Sequence, residues 1–208
     1  MPTVYRVRQG ECITNISIKH GFIPETLWND PANAQLKENR RNHNILYPGD
    51  QVTIPELRLK EEQGGTGSRH RFRRKGMPVY LQLQLRKDNG DPLANERFVL
   101  RVEGQIREGT TDEEGRLREP IPPQAMAGVL TIRNRDFKIR IGHLNPAEYN
   151  SGIRSRLNNL GYSAGAGGEE LNSDLRHGIE AFQETQGLSK TGQIDEAMRS
   201  TLMASHKH

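Results

Sequence analysis

A single cysteine in 208 residues leaves no internal disulfide to brace the chain, so folding must come from buried apolar side chains. Those are also scarce. Hydrophobic residues make up 33% of the sequence and aromatics 5%, with one Trp, which argues against one large core and for several small modules. No stretch approaches the roughly 18 consecutive apolar residues of a bilayer span, and no membrane insertion is expected. The opening MPTVYRV runs straight into an alternating pattern and offers no basic and apolar leader for Sec-type export. The expectation is a protein made in the cytoplasm without a signal peptide.

Catalytic signatures are missing as well. HExxH, CxxC, P-loop and G-x-S-x-G patterns do not occur. The seven histidines are scattered: His143 and His177 have no partner at metal-ligand spacing, and His206 and His208 read as a tail. Glu169 and Glu170 adjoin in a glycine-rich loop, which does not provide the shaped cleft between two carboxylates that glycoside hydrolysis needs. The sequence therefore predicts no catalytic residues, no metal and no cofactor.

The net charge of +4 is local. Seven basic residues between Arg58 and Lys75 face only Glu61 and Glu62, an excess that leaves the remainder of the chain slightly acidic. Phe72 is the only aromatic in that run, so a base-stacking surface is not expected, and no nucleic-acid partner is assigned. With the Gly and Ser of EEQGGTGSRHRFRRKG, residues 58–76 read as a basic flexible linker. Few apolar residues lie between Glu56 and Gly76, so the flanking modules are expected to be mechanically separate.

What the sequence does contain is patterned. In LYPGDQVTIP, Pro48 and Gly49 make a turn and Val52 and Ile54 alternate with polar neighbours, the signature of a short strand. Val4 to Arg8 alternates likewise and is its natural partner. Between them, Ile13 and Ile16 face one side of a helix ended by Gly21, and Pro24 starts a second helix carrying Leu27 and Trp28. This predicts a β-α-α-β unit over residues 1–57, with 29–44 a polar insertion. Trp28 serves either as core or as a sugar-stacking platform.

Further on, Val79 to Arg86 alternates strictly. DNGDP and the 110–116 region are turns, and strands are expected at 98–102, 129–132 and 137–141. Many short strands between turn signals predict an Ig-like β-sandwich over 77–143. Asp112, Glu113 and Glu114 lack the oxygen spacing of a calcium loop and read as a solvated turn. From Asn145 onward the pattern is helical. Ile153, Leu157 and Leu160, then Leu175, Ile179 and Phe182, then Ile194, Met198 and Leu202 make three apolar stripes, with Gly161 and Gly187 as stops. The overall expectation is an α+β multidomain chain ending in a three-helix bundle over 144–208.

Two stretches carry family resemblances. YRVRQGECITNISIKHGF with LYPGDQVTIP resembles the LysM module, with Glu11, Cys12, Ser17 and His20 where Asp, Thr, Ala and Tyr are common. The resemblance implies a glycan containing N-acetylglucosamine, held between a lip at Gly10, Glu11, Cys12 and Ile13 and a lip at Tyr47, Pro48 and Gly49. GIRSRLNNLGY, AFQETQGL and TGQIDEAMRSTL are similar to the three blocks of the peptidoglycan-binding domain family. That resemblance implies peptidoglycan as ligand and points to Gln183, Tyr162 and Asp174; Gln183 either bonds backbone to fix the loop after it or reaches ligand. The middle region resembles sandwich domains of bacterial surface and secretion proteins. The order of modules is similar to proteins of type VI secretion and related contractile injection systems. It implies a spike protein or toxin as partner, with delivery through the injection apparatus, or an adaptor role in which the LysM fold docks protein.

Overall fold

The computed structural model describes residues 1–57, 63–70, 79–87 and 90–206. Most of the expected basic linker therefore lies outside the described residues, as do 88–89 of the DNGDP turn and His208.

The first unit is built on two short strands, β1 (Thr3–Arg6) and β2 (Gln51–Ile54), paired antiparallel with Thr3 opposite Ile54 and Arg6 opposite Gln51. Beyond the pair, the Val7 amide donates to the Asp50 carbonyl (2.8 Å) and Gly49 donates to Val7 (2.9 Å). Helix α1 (Ile13–Lys19) starts after Cys12, whose amide donates to Asn15 Oδ1 at 2.9 Å, and Ile13 and Ile16 are wholly buried. Helix α2 (Pro24–Trp28) has Pro at its first position, where a missing N–H costs nothing. The polar 29–44 stretch differs from the expectation: it folds into a 3₁₀ turn (Pro31–Asn33) and helix α3 (Ala34–Arg40). Only Leu36 of α3 is buried, so no apolar stripe announced the helix. Buried Asn33 anchors the stretch instead, donating to the carbonyls of Leu27 and Thr53 and accepting the Thr53 amide at 2.7 Å. Val7, Ile13, Ile16, Leu27, Leu36, Leu46, Val52 and Ile54 form the core, with Trp28 half-buried against it.

Six strands follow. β3 (Val79–Gln84) pairs with β6 (Arg116–Ile121), while β4 (Arg97–Val102), β5 (Gln105–Thr110), β7 (Ala127–Ile132) and β8 (Arg135–Arg140) make a four-stranded antiparallel sheet in the order β5-β4-β7-β8. Both sheets feed one core: Phe98, Leu100, Val102, Leu130 and Ile132 from the larger, Leu117 and Ile121 from the smaller. β5 and β6 carry too few apolar residues to stand out in the sequence, and tertiary pairing makes them strands. In the turn before β6, Asp112 Oδ1 accepts the amides of Glu114 (3.0 Å) and Arg116 (2.7 Å). Gly115, at φ +72, presses so close to the Leu85 carbonyl that no side chain fits.

Three helices close the chain: α4 (Asn150–Asn159), α5 (Ser173–Thr185) and α6 (Glu196–Ser205). Asn172 caps α5 through the Leu175 amide, and Asp195 caps α6 through the Met198 amide at 2.7 Å. Their core is Ile153, Leu157, Ala164, Leu175, Ile179, Phe182, Met198 and Leu202. Arg199 ties α6 to the preceding segment through the Ala147 carbonyl at 2.7 Å. The result is a mixed α+β chain with antiparallel sheets and a C-terminal three-helix region. No described helix is long and apolar enough to cross a membrane.

Candidate functional site

In the C-terminal region the predicted site residues separate by environment. Gln183 is 1% exposed. Its Oε1 accepts the amides of Thr191 (2.9 Å) and Gly192 (3.0 Å), and its Nε2 donates to Thr191 Oγ1 (3.0 Å) and the Gln193 carbonyl (3.2 Å). Both protons and both lone pairs are thereby used within the loop. Of the two roles left open by the sequence, this geometry is that of a loop clamp. Tyr162 is half-buried, edge-on to Phe182 at 5.3 Å, and Asp174 is exposed beside Gly165.

Two arginines of α4 are buried on the same domain. Arg154 binds the carbonyls of Ala164 and Glu170 and Asn172 Oδ1, pinning the glycine-rich 163–172 loop to the helix. Arg156 is wholly buried, donates from Nη1 to Asn145 and Gly152, and leaves Nε and Nη2 without partners. Burial pushes its pKa down to about 10, only partly opposed by Glu148.

Residues 152–202 match a family model described as "Putative peptidoglycan binding domain". No curated protein and no solved structure matches the chain. The matched span begins where Gly152 packs against the Pro146 carbonyl and ends at buried Leu202, so it takes in the apolar stripes of α4, α5 and α6. It also includes Gln183, Tyr162 and Asp174.

The residues expected to form two lips lie on the first unit. Ile13 donates to the His43 carbonyl (3.0 Å) and Gly49 to Val7, which brings the loop after β1 and the loop before β2 together. Glu11 is turned inward along its own loop, accepting from the Tyr5 hydroxyl at 2.6 Å and the Arg8 amide at 2.9 Å. Cys12 is half-buried, and desolvation raises its thiol pKa. Pro48 is half-buried and Ile13 wholly so, a core residue with nothing to offer a ligand directly.

The remaining lip residues meet other parts of the chain, which corrects the expectation of mechanically separate modules. Tyr47 stacks on Tyr149 with ring centroids 3.8 Å apart and planes at 9°. Its hydroxyl donates to Glu169 at 3.3 Å. Desolvation first, then the negative charge of Glu169, raises the Tyr47 pKa. Arg40 binds Asp50 through two bonds of 2.7 and 2.8 Å and reaches the Tyr149 hydroxyl at 3.3 Å; these bonds hold it firmly in the charged form. Gln9 donates to Asn145 at 3.2 Å. A Cβ on Gly10 would stand 2.6 Å from Met126 Cε and 2.9 Å from His143 Cε1, and one on Gly142 would stand 2.5 Å from the Gly10 carbonyl oxygen. The apolar poverty of 56–76 was a poor guide because the joining residues lie outside that segment.

Arg40, Asp50 and Tyr149 were not singled out by the sequence, and Glu169 was considered only beside Glu170 as a carboxylate pair. Arg40 sits in a polar run, and Tyr149 falls between recognisable blocks; no periodicity marks either. Two open grooves lie elsewhere, one of about 500 Å³ beside Arg97, Val99 and Arg133, and one of about 600 Å³ beside Phe22, Thr26 and Pro55. Neither contains a predicted lip residue.

Proposed function

We propose that this chain is a non-catalytic peptidoglycan-binding protein whose C-terminal three-helix domain supplies the wall contact. The observation that carries the reading is the family match over 152–202, on a domain with a complete core and capped helices. The first unit is read as a LysM-type glycan binder on the motif residues Gly10 to Ile13 and Tyr47 to Gly49. Two weak sites on one chain gain affinity through effective concentration when both reach the same polymer. The middle sheets are read as an Ig-like spacer.

Co-sedimentation with purified sacculi tests the reading. The full chain should pellet with the wall, and Asp174→Ala should lower the pelleted fraction; a chain that stays in the supernatant at every wall concentration overturns it. Released soluble muropeptides at catalytic protein levels would overturn the non-catalytic part.

A second reading makes the chain an adaptor of a contractile injection spike or baseplate, with the LysM fold used for docking protein. The packing of Tyr47 and Gly10 against other parts of the same chain favours it. In either role the protein is proposed to travel with an injection apparatus, so its appearance outside the cell should require a sheath able to contract. Equal export from a strain with the apparatus disabled would sink that proposal.

A further inference from the structure

Other parts of the chain cover both lips of the first unit. Gly10, on the first lip, is buried, and its missing side chain is what lets Met126, His143 and the Gly142 backbone approach. Tyr47, on the second lip, has one ring face covered by Tyr149 and its hydroxyl engaged by Glu169. The Gly10 contacts come from the middle unit, from Met126 just before β7 and residues 142–143 just after β8, whereas the Tyr47 contacts come from the residue just before α4 and the loop leading into α5. That loop is itself tied to α4: the Ser151 hydroxyl donates to the Glu169 carboxylate and Asn150 to the Glu169 carbonyl at 2.7 Å. Tyr149 immediately precedes this helix. The C-terminal surface that covers Tyr47 is therefore one piece.

We propose that this seam is an autoinhibitory contact, in which the C-terminal domain holds the Tyr47 lip of the first unit covered until the Tyr149 and Glu169 contacts release. The inference rests on the LysM-type reading of Gly10 to Ile13 and Tyr47 to Gly49. A sugar ring cannot lie on the Tyr47 face that Tyr149 occupies at 3.8 Å. Glycan binding then draws only on the open fraction of molecules, and apparent affinity falls in proportion to that fraction. The latch is made of contacts that can part without unfolding either core: a stack between half-buried tyrosines, one hydrogen bond to an exposed carboxylate, one from Arg40 to the Tyr149 hydroxyl, and one amide pair between Gln9 and Asn145. Arg40 stays with the first unit when the seam parts, because its two bonds to Asp50 are internal to that unit.

The test uses the full chain as wild type and as Tyr149→Ala/Glu169→Gln, substitutions on the C-terminal side that leave every lip residue in place. Hydrogen exchange of the amides around Tyr47 reports closure, and calorimetric titration with chitopentaose reports binding. Faster exchange around Tyr47 in the variant, together with at least tenfold tighter chitopentaose binding, is the expected result. A lip that opens with no gain over a measurable wild-type affinity overturns the autoinhibitory role while leaving the glycan reading intact. Unchanged exchange in the variant shows that these contacts do not hold the lip and also overturns it. If the lip opens and no form binds chitopentaose, the glycan reading of the first unit fails and takes this inference with it.

Discussion

Replacing Gln183 by Leu removes four hydrogen bonds at nearly constant volume, which makes it a sharp test of what that side chain does. The amides of Thr191 and Gly192 and the carbonyl of Gln193 lose their partners. The bond to Gly192 is buried and the others partly so. At about 1–3 kcal/mol for each buried group left unsatisfied, discounted where water can reach, the loss comes to about 3 kcal/mol. A three-helix domain of this size is worth about 3–9 kcal/mol in total. The variant should therefore lower the melting transition of this domain by more than ~10 °C. Calorimetry of the full chain reads the shift, and hydrogen exchange should show the 187–193 amides losing protection first. Gln183→Glu should keep the two amide acceptances but set a buried anion against the Gln193 carbonyl, and destabilise as well. A Leu variant that melts like wild type yet no longer pellets with sacculi would refute the clamp and make Gln183 a ligand contact.

Arg156→Met removes a wholly buried charge with two unpaired nitrogens, at the expense of bonds to the Asn145 and Gly152 carbonyls. Its stability should fall within about 1 kcal/mol of wild type or exceed it, and a loss above ~3 kcal/mol by urea titration would contradict this account of the site. Gly115→Ala should cost more than 2 kcal/mol, because the left-handed φ adds about 1 kcal/mol to a backbone collision with Leu85. Gly104→Ala, at φ +74 in open space, should cost only about 1 kcal/mol; equal losses in the two variants would remove the steric argument. Cys12 should alkylate slowly at neutral pH, since burial raises its pKa and the reactive thiolate is depleted. Its rate-against-pH curve in the folded chain should lie at higher pH than in urea, and coincident curves would show that the thiol is not desolvated.

Apolar spacing carried a good deal of this structure. Ile13 and Ile16 of α1, the alternation of β3 and β4, and the stripes of α4, α5 and α6 all sit where their periodicity puts them. Elements without a stripe escaped notice. α3 buries only Leu36, and β5 is almost wholly exposed; each exists because a neighbour supplies what its own residues do not. Asn33 anchors the approach to α3, and β4 pairs with β5 along its whole length.

The candidate site divides along the same line. The lip residues and Gln183, Tyr162 and Asp174 could be named from motifs, because a motif is local and survives in one dimension. What covers the lips could not, since Tyr47 meets Tyr149 and Glu169 across more than a hundred residues, and nothing in the local chemistry of a tyrosine says which distant ring will lie on it. By itself the sequence determined three apolar cores and the turns between them, through spacing that each segment carries alone. Only tertiary structure decided which polar and aromatic surfaces of those cores face one another, because that choice depends on the docking of finished units.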